Sequence, residues 1–464
     1  MTNLKNSGRG LQMENEALPF ISNPFCPQLV RRDFKFYQPH CDRREMLHRK
    51  KNHTGEKDSP PPQDEPQRRH LPFRLRVTRI TWGWFPSTMS TGALASLLSQ
   101  QPFTFPGLTT IGKVVFLLDM ALFLAFSSLI AARFALKPRA IVTSLHHPSE
   151  SFFFGAWWVS LALLLNCTAA YGVPGLGGAD GGGAWLVAAL RVLFWMYFAC
   201  ATLVAVLQYY IIFQTEHLHV SDAMPAWILP AYPFLVSGPL AAVIAKTQPD
   251  TTAALQIIVA GVSGQGLGWV LSLLMYSVYF TRLIRSDMPD PSLRPGMYVS
   301  VGPAAYTAAG LLALGQQAHL QMPPGFLGIT SLAVGDVWLA AALPASLFLW
   351  MVAIWFSGVT TMHIVRDARR MRFSLQWWAF VFPNAGLAMA TAQIGKALNS
   401  DGVNGVASGL TVLLVCFWFF CAFMHVRAVW RHDLLHPGRD QGVDDVNAVH
   451  DRAIAESEEE KQSV

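Results

Sequence analysis

From Ile80 onward the chain alternates between long apolar stretches and short polar connections. A transmembrane helix needs about 20 largely apolar residues to cross a hydrocarbon core roughly 30 Å thick, and these stretches have about that length. The pattern therefore predicts an all-α, polytopic membrane protein with ten transmembrane helices. The ten spans fall near residues 81–99, 110–133, 151–172, 184–213, 225–246, 253–281, 297–317, 334–358, 374–398 and 404–429.

Both ends of the chain lack this apolar pattern. Residues 1–76 are polar and basic and include three consecutive prolines, which predicts a disordered cytosolic N-terminal tail. Residues 77–432 hold the predicted ten-helix transmembrane domain. Residues 433–464 contain an acidic run and are expected to form a cytosolic C-terminal tail.

Lysine and arginine are unevenly distributed among the connections. Arg133, Lys137 and Arg139 follow span two, and groups of arginines follow spans six and eight, whereas the odd-numbered connections carry almost none. Because basic residues are retained on the cytosolic side, the even-numbered connections and both termini are expected in the cytosol. The connection after span four has neither lysine nor arginine and does not bear on orientation.

Prolines interrupt the odd-numbered spans. Pro86 lies in span one, and Pro233, Pro303 and Pro383 lie in spans five, seven and nine, the last three separated by 70 and 80 residues. A proline in lipid frees a carbonyl that must find a partner inside the protein, so the broken helices belong in the interior. The pattern predicts five helical hairpins in a quasi-five-fold ring, with odd helices around a central pore. Span three has no proline, so the repeat is imperfect.

Composition narrows the class of protein. Hydrophobic residues make up 52% of the chain and charged residues 14%, against about a quarter charged in soluble domains. The net charge of +6 comes from basic tails and loops, so the lipid bilayer is an expected partner and nucleic acid is not. The six cysteines form neither a disulfide framework nor a metal-site pattern, and no cofactor is expected.

One segment has the features of a narrow point in a pore. Residues 377–386 read Trp-Trp-Ala-Phe-Val-Phe-Pro-Asn-Ala-Gly, with Phe382 directly before the proline. Together with residues 147–154, His-Pro-Ser-Glu-Ser-Phe-Phe-Phe, and the ten-span plan, it resembles the tellurite-resistance/dicarboxylate transporter superfamily. This superfamily includes plant slow anion channels, which are voltage-dependent anion channels, and fungal malate and sulfite transporters. The resemblance covers about residues 75–435.

Four further segments, residues 90–92, 110–116, 189–195 and 225–230, are most similar to the fungal malic acid (dicarboxylate) transporters. The resemblance implies a pore formed by the five odd helices and closed by an aromatic plug, which falls on Phe382. It also implies assembly as a homotrimer with one pore in each subunit. From position alone, Phe382 either packs against neighbouring helices or closes the pore by steric blockage and dewetting.

Asp119, Arg191 and Lys396 are charged residues within the predicted spans. An ionised side chain inside a bilayer costs about 2.5–3.5 kcal/mol unless it is paired or hydrated. Asp119 in span two and Arg191 in span four are therefore expected to form an ion pair that joins two outer helices, in preference to attracting anions. Lys396 near the outer end of span nine either draws dicarboxylates toward the pore or extends to the headgroups.

His147 and Glu150 precede span three. The sequence predicts a helix-capping role for Ser149 and Glu150, because acidic residues favour the first turn of a helix. The alternative is that His147 and Glu150 titrate and couple transport to protons. Asp336 at the start of span eight has the same two interpretations.

Polar and small residues on the odd spans could provide a substrate path without a full charge, since hydroxyl and amide groups donate hydrogen bonds to carboxylates. The alternative is helix packing, which uses the same residue types. The candidates for the pathway are Thr88, Thr91, Ser160, Asn166, Ser237, Ser300, Tyr306, Thr307, Asn384 and Lys396.

These observations lead to one functional hypothesis and two alternatives. The hypothesis is a plasma-membrane transporter or channel, and not an enzyme, that moves malate and other four-carbon dicarboxylates through a pore gated at Phe382. The first alternative is a sulfite or other small-anion exporter with the same fold. The second is a membrane-embedded enzyme, which is disfavoured because the sequence contains no multi-histidine cluster.

Overall fold

The computed structural model describes residues 73–215, 219–286 and 288–435, and every regular element in these ranges is helical. An all-α fold is thereby confirmed. The predicted tails fall almost wholly outside these ranges. The exceptions are residues 73–76, which begin the short helix Phe73–Val77, and the last few residues up to 435.

Ten helices of eleven or more residues lie in the described ranges, and they are numbered here in chain order. They are α1 Phe85–Ser99, α2 Leu108–Leu136, α3 Phe154–Cys167, α4 Ala184–Thr215, α5 Ser237–Thr247, α6 Thr251–Arg285, α7 Val301–Gln321, α8 Val334–Asp367, α9 Phe382–Ala397 and α10 Asp401–Trp430. Shorter helical turns occur at Ala140–His146, Pro148–Ser151, Thr168–Gly172, Val173–Gly175, Val220–Asp222, Phe326–Gly328 and Ala368–Arg370.

Eight helical segments are long and apolar enough to cross a membrane, which confirms a polytopic membrane protein. They contain α2 to α8 and α10. The predicted total of ten spans is not reached on these criteria of length and hydropathy, because no segment that contains α1, of 15 residues, or α9, of 16 residues, meets them. At 1.5 Å per residue each helix is about 23 Å long, less than the roughly 30 Å of a bilayer core.

A short helical turn comes directly before each odd helix, and we call it the lead segment of that helix. Four of the five lead segments contain 3₁₀-helix, and the lead segment of α3 is a short α-helix. The lead segments are Trp82–Trp84, Pro148–Ser151, Pro225–Leu235, Arg294–Ser300 and Leu375–Phe380.

Three prolines of the odd spans, Pro86, Pro303 and Pro383, lie in the first turn of α1, α7 and α9, whereas Pro233 lies in the lead segment of α5, four residues before that helix begins. Pro86 and Pro383 occupy the first turn of α1 and α9, where a missing backbone donor leaves no intrahelical bond unmade. These two prolines therefore begin their helices, whereas the sequence pattern had suggested that they interrupt them. In α3, which has no such proline, the irregular backbone is at the opposite end, in the π-helical turn Thr168–Gly172.

Burial separates the two sets of helices. In the most apolar windows of the segments that contain α3, α5 and α7, 67%, 94% and 83% of residues are buried, against 17–39% in the even helices. In α1 and α9, every residue from Ser87 to Leu98 and from Ala385 to Gly395 is buried. The odd helices therefore form the interior of this unit. They pack in a closed sequence of neighbours: α1 on α3, α3 on α5, α5 on α7, α7 on α9, and α9 on α1.

The even helices end beside the lead segments, on what we call the proximal side. There the odd helices begin, and they end on the opposite, distal side. Through a polar side chain, each even helix holds the lead segment of the preceding odd helix or the residue two positions before that segment. The five contacts are Arg133 to the Ile80 carbonyl, Gln208 to the Ser151 carbonyl, Arg282 to the Ala223 carbonyl, Asp367 with Arg294, and His425 with the Trp378 indole. The hairpin is thus a repeated structural unit.

Candidate transport pathway

Phe382 lies at the first position of α9, enclosed by two tyrosines. Its ring stacks on Tyr306 of α7 at a centroid distance of 4.9 Å and lies 5.7 Å from Tyr232 in the lead segment of α5. The Tyr306 hydroxyl donates to the Phe382 carbonyl at 3.2 Å. Gly386 permits this packing, because a Cβ there would lie 2.7 Å from the Tyr306 ring. Phe382 is thus held between three of the interior elements.

A narrow cavity lies on the proximal side of Phe382, with a volume of about 30 Å³. That volume is about what one water molecule occupies. The walls are almost entirely apolar, and every odd helix or its flanking turn contributes to them. They comprise Pro86, Met89, Phe153, Ala226, Leu229, Tyr232, Gly296, Val299, Gln376, Trp378, Ala379, Phe382 and Pro383.

Two of the predicted pathway hydroxyls meet between neighbouring odd helices. Thr88 of α1 and Ser160 of α3 are hydrogen-bonded at 2.7 Å, and both are completely buried. Ser237 and Ser300 donate to carbonyls one turn earlier in their own segments, at 2.6 and 2.7 Å. These hydroxyls are therefore already satisfied, as expected for groups that allow close packing of helices.

Three other pathway candidates direct their polar atoms toward even helices. Thr91 accepts from the Trp418 indole at 3.0 Å, Thr307 accepts from Gln265 at 2.9 Å, and Asn384 accepts from Ser357 at 3.4 Å. The structure therefore places these polar groups at interfaces with outer helices. A helix buried on all sides has no polar face in its sequence, so hydrophobic periodicity could not indicate which residues point inward.

A connected set of polar side chains lies toward the distal end of the interior helices. Gln393 donates to the Gln100 side chain at 3.0 Å, Gln100 to Ser96 at 3.2 Å, and Ser96 to Asn166 at 3.0 Å. Lys396 donates to the Gln100 carbonyl at 2.6 Å. The sequence identified Asn166 and Lys396 as candidates but missed Ser96 and Gln100, since single polar residues near a helix end do not stand out in sequence.

Asp119 and Arg191 are not brought together. Asp119 is completely buried, and neither of its carboxylate oxygens has a hydrogen-bond partner. It lies against α1, where a Cβ at Gly92 would be 2.6 Å from its Oδ2. Arg191 is exposed on α4. The predicted link between α2 and α4 is therefore absent, because the two side chains face different surroundings.

Glu150 pairs with Arg133 and does not cap a helix. The two side chains are 2% and 4% exposed, and the Arg133 Nη2 to Glu150 Oε2 distance is 3.1 Å. His147 is the residue at the N-terminal cap of Pro148–Ser151, and its carbonyl accepts from the amides of Glu150 and Ser151. The capping role predicted for the Glu150 side chain is therefore not observed. Asp336 pairs with His319 on the distal side.

Comparison with known proteins identifies the family. The family described as SLAC1, voltage-dependent anion channel, matches residues 79–426. A malic acid transport protein of Schizosaccharomyces pombe is 31% identical over 376 residues, which cover 80% of this chain and 83% of the relative. The sulfite efflux pump SSU1 of Trichophyton rubrum is 26% identical over 350 residues, covering 74% and 89% respectively.

The matched region contains all ten long helices except the last few residues of α10. It includes Phe382, the two tyrosines that enclose it, and the distal polar residues. The N-terminal tail lies outside the match. Because the family covers more than half of the sequence, this chain belongs to the voltage-dependent anion channel family.

Proposed function

We propose that this protein transports small organic anions, in particular malate and other four-carbon dicarboxylates, along a pathway between the five odd helices. The observation that carries the proposal is the position of Phe382, enclosed by Tyr306 and Tyr232 beside a cavity to which every odd helix or its flanking turn contributes. Helices that merely packed together would not need five such turns to meet around one cavity.

The proposed architecture is a quasi-five-fold ring of five hairpins with ten membrane spans. The closed sequence of contacts among the odd helices and the five hairpin contacts on the proximal side support it. The lead segments extend the two short helices: with 2.0 Å per residue in 3₁₀-helix, α1 and its lead segment reach about 28 Å and α9 and its lead segment about 36 Å. Both lengths suit a bilayer core of about 30 Å.

The proposed gate works by exclusion. Phe382 fills the space between the interior helices, and the adjoining cavity holds about one water, so an anion would have to lose its hydration shell in apolar surroundings. Conduction requires the Phe382 ring to move away from Tyr306. Since the Tyr306 hydroxyl binds the Phe382 backbone, the ring can rotate about its side-chain bonds while this contact stays in place.

The substrate assignment rests on the relatives. The relative named for malic acid transport is 31% identical to this chain, whereas the one named as a sulfite efflux pump is 26% identical. Sulfite export is therefore the second candidate. Uptake of labelled malate and labelled sulfite into proteoliposomes, with and without a pH gradient, separates the two. Malate flux no higher than in empty liposomes under every condition would refute the favoured substrate.

The proposed orientation places the proximal side in the cytosol. Arg133, Lys137 and Arg139 lie there, as do Arg366 in the last turn of α8 and Arg369, Arg370 and Arg372 after it. Basic residues favour the cytosolic face. Residues 77–432 would then form the transmembrane domain, with both tails in the cytosol. The plasma membrane and a homotrimeric assembly complete the proposal.

A further inference from the structure

A network of polar side chains joins the interior helices on the distal side. Gln393 of α9 donates to the side chain of Gln100 at the C-terminal end of α1, and Gln100 donates to Ser96. Ser96 donates to Asn166 of α3, whose amide donates to the Pro239 carbonyl of α5 at 3.5 Å. These four side chains, which we call the distal network, connect four of the five interior helices. A solute that moves between the odd helices would have to pass them.

All of the hydrogen bonds in the distal network run in one direction. A carbonyl oxygen only accepts, so the Pro239 carbonyl requires the amide nitrogen of Asn166, and the Asn166 oxygen then accepts from Ser96. Ser96 has one proton to give, so its own oxygen accepts from the amide of Gln100. The Gln100 oxygen accepts from Gln393 for the same reason.

The first residue of the distal network has an acceptor that no group satisfies. Gln393 is 8% exposed, and its side-chain oxygen is buried without a hydrogen-bond partner. A buried acceptor in this state is unfavourable, and a ligand that carries an O–H group would satisfy it. A carboxylate would not, because its oxygens also only accept. The free oxygen therefore points to a hydroxyl group on the substrate.

Lys396 provides a cation next to this acceptor. It lies one turn beyond Gln393 on α9, and its ammonium group donates to the Gln100 carbonyl at 2.6 Å, so both residues bind Gln100. That bond uses one of the three ammonium protons, and none of the ion pairs among the described residues involves Lys396. An acceptor and a cation one helical turn apart match the adjacent hydroxyl and carboxylate of a 2-hydroxy acid.

We propose that Gln393 determines substrate specificity: its side-chain oxygen accepts a hydrogen bond from the hydroxyl of a 2-hydroxy dicarboxylate, whose adjacent carboxylate binds Lys396. The protein then prefers malate to succinate, which has the same two carboxylates and no hydroxyl. A substrate without the hydroxyl leaves the buried acceptor unpaired, which is an effective basis for discrimination. This inference rests on the proposed function and adds to it the residue that distinguishes substrates of equal charge.

A purely structural role for Gln393 makes a different prediction. Its amide joins α9 to α1, and loss of that bond alone would alter the transport of every substrate in the same way. Gln393→Met and Gln100→Met remove the same hydrogen bond from opposite ends, and only Gln393→Met also removes the free oxygen. The two variants therefore separate a binding role from a packing role.

The test measures initial uptake of labelled malate and labelled succinate into proteoliposomes that contain the wild-type protein, Gln393→Met or Gln100→Met. Both substrates are kept well below their KM, at a pH where both are dianions, so that the ratio of the two rates gives their relative kcat/KM. Thermal stability in detergent is recorded for each protein.

The wild type should favour malate, and Gln393→Met should reduce this preference about three- to tenfold, which is the loss that one hydrogen bond of ordinary strength produces. Most of the loss should appear as a higher malate KM. Gln100→Met should lower thermal stability at least as much and leave the preference almost unchanged, because the Gln393 oxygen is still present. The measurements are repeated at acidic pH, where succinate carries an O–H group of its own after protonation.

Four outcomes would overturn the inference. The first needs no variant: a wild type that takes up succinate as readily as malate has no preference for the hydroxyl. The second is an unchanged ratio in Gln393→Met, and the third is an equal change of the ratio in Gln100→Met. The fourth is an equal loss of malate and succinate uptake in Gln393→Met at acidic pH, which would indicate recognition of a protonated carboxyl group.

Failure of this inference can be distinguished from failure of the proposed function. If the wild-type protein moves malate and the ratio does not respond, only the role of Gln393 fails. If the wild-type protein moves no malate, the proposed function fails and the role of Gln393 fails with it.

Discussion

Arg133 and Glu150 show why single residues were the hardest features to predict. The sequence placed Arg133 among the loop cations that set orientation and Glu150 at a helix start. In the structure they form a buried pair that also holds the Ile80 carbonyl. A basic residue at a membrane boundary looks the same in sequence whether its side chain faces water or packs back into the protein. Only the packing of α2 against the lead segments distinguishes the two cases.

Replacing one partner of this pair should be strongly destabilising. Arg133→Met leaves the Glu150 carboxylate buried without its cation, at a cost of about 3–5 kcal/mol. Thermal unfolding of the purified protein in detergent should show a large fall in Tm, and Arg133→Met/Glu150→Gln should recover part of it. Arg139→Met, at an exposed position nearby, is the control. A fall of the same size in the control would count against the pair.

Asp119 leads to a second expectation at this scale. Its carboxylate is buried without a hydrogen-bond partner, and a charged form there would be very unfavourable. Asp119→Asn, a neutral side chain of similar shape, should fold and express like the wild type. Adding Arg191→Asp to Asp119→Arg should not restore the surface expression lost in the Asp119→Arg variant, because the two residues are not in contact. Rescue of surface expression by the exchange would contradict the structure.

Phe382 was predicted from its position beside Pro383 together with the family resemblance. What the sequence could not provide were its partners: Tyr306 had been considered only for its hydroxyl, and Tyr232 not at all. Tyrosines far apart in sequence become neighbours only after the interior helices pack. The proposed gate therefore involves three elements, although one residue suggested it.

Removing the Phe382 ring should open a leak. Phe382→Ala is expected to raise basal anion current severalfold at equal surface expression, because the space between Tyr232 and Tyr306 becomes wide enough to hydrate. Phe380→Ala is the matched control, since Phe380 stacks on Phe417 of α10 with ring centroids 5.5 Å apart and faces away from the cavity. Equal currents in wild type and Phe382→Ala, measured by voltage clamp, would rule out the gate.

At the scale of elements, the long apolar stretches predicted the positions of the helices well. Length is a strong signal, because a bilayer demands about 20 apolar residues and a soluble helix does not. The sequence did not predict that each odd span divides into a lead segment and a regular helix. A proline two residues into an α-helix and a proline that kinks one look alike in sequence.

The contacts between even helices and lead segments can be tested singly. Arg282→Leu removes the donor that binds the Ala223 carbonyl ahead of the lead segment of α5. Amide hydrogen exchange across residues 225–231 should become faster, because a segment with fewer fixed contacts opens more often. Arg285→Leu, exposed at the same helix end, should leave exchange unchanged. Equal rates of amide hydrogen exchange in the two variants would show that the contact does not stabilise the lead segment.

At the scale of the whole molecule, the alternation of broken and unbroken spans indicated which helices lie inside. It also predicted a ring, in which the first and last interior helices must meet, but no residue pattern identified the contacts between positions almost 300 residues apart. In the structure the Ser96 hydroxyl lies 3.9 Å from the Met389 sulfur, where α1 packs on α9. This contact closes the sequence of interior neighbours.

Closure between α1 and α9 can be tested by cross-linking. Cysteines at Ser96 and Met389, in a background with the six native cysteines replaced by alanine, should cross-link with a short bifunctional reagent. Cysteines at Ser96 and at Ser346 of α8 should not cross-link with the same reagent. After the chain is cleaved between the two positions, its mobility in denaturing gels shows whether the two fragments remain cross-linked. Failure of the first pair to react, with both cysteines accessible to a monofunctional label, would refute the closed arrangement.

The cavity beside Phe382 has a further consequence for the cell that carries this protein. Protons cross membranes along continuous chains of hydrogen-bonded water, and a space for about one water between apolar walls interrupts any such chain. A barrier of this kind stops hydrogen ions and bulk water as effectively as it stops larger solutes. With the proposed gate closed, many copies of the protein would leave the pH difference and the voltage across the membrane intact.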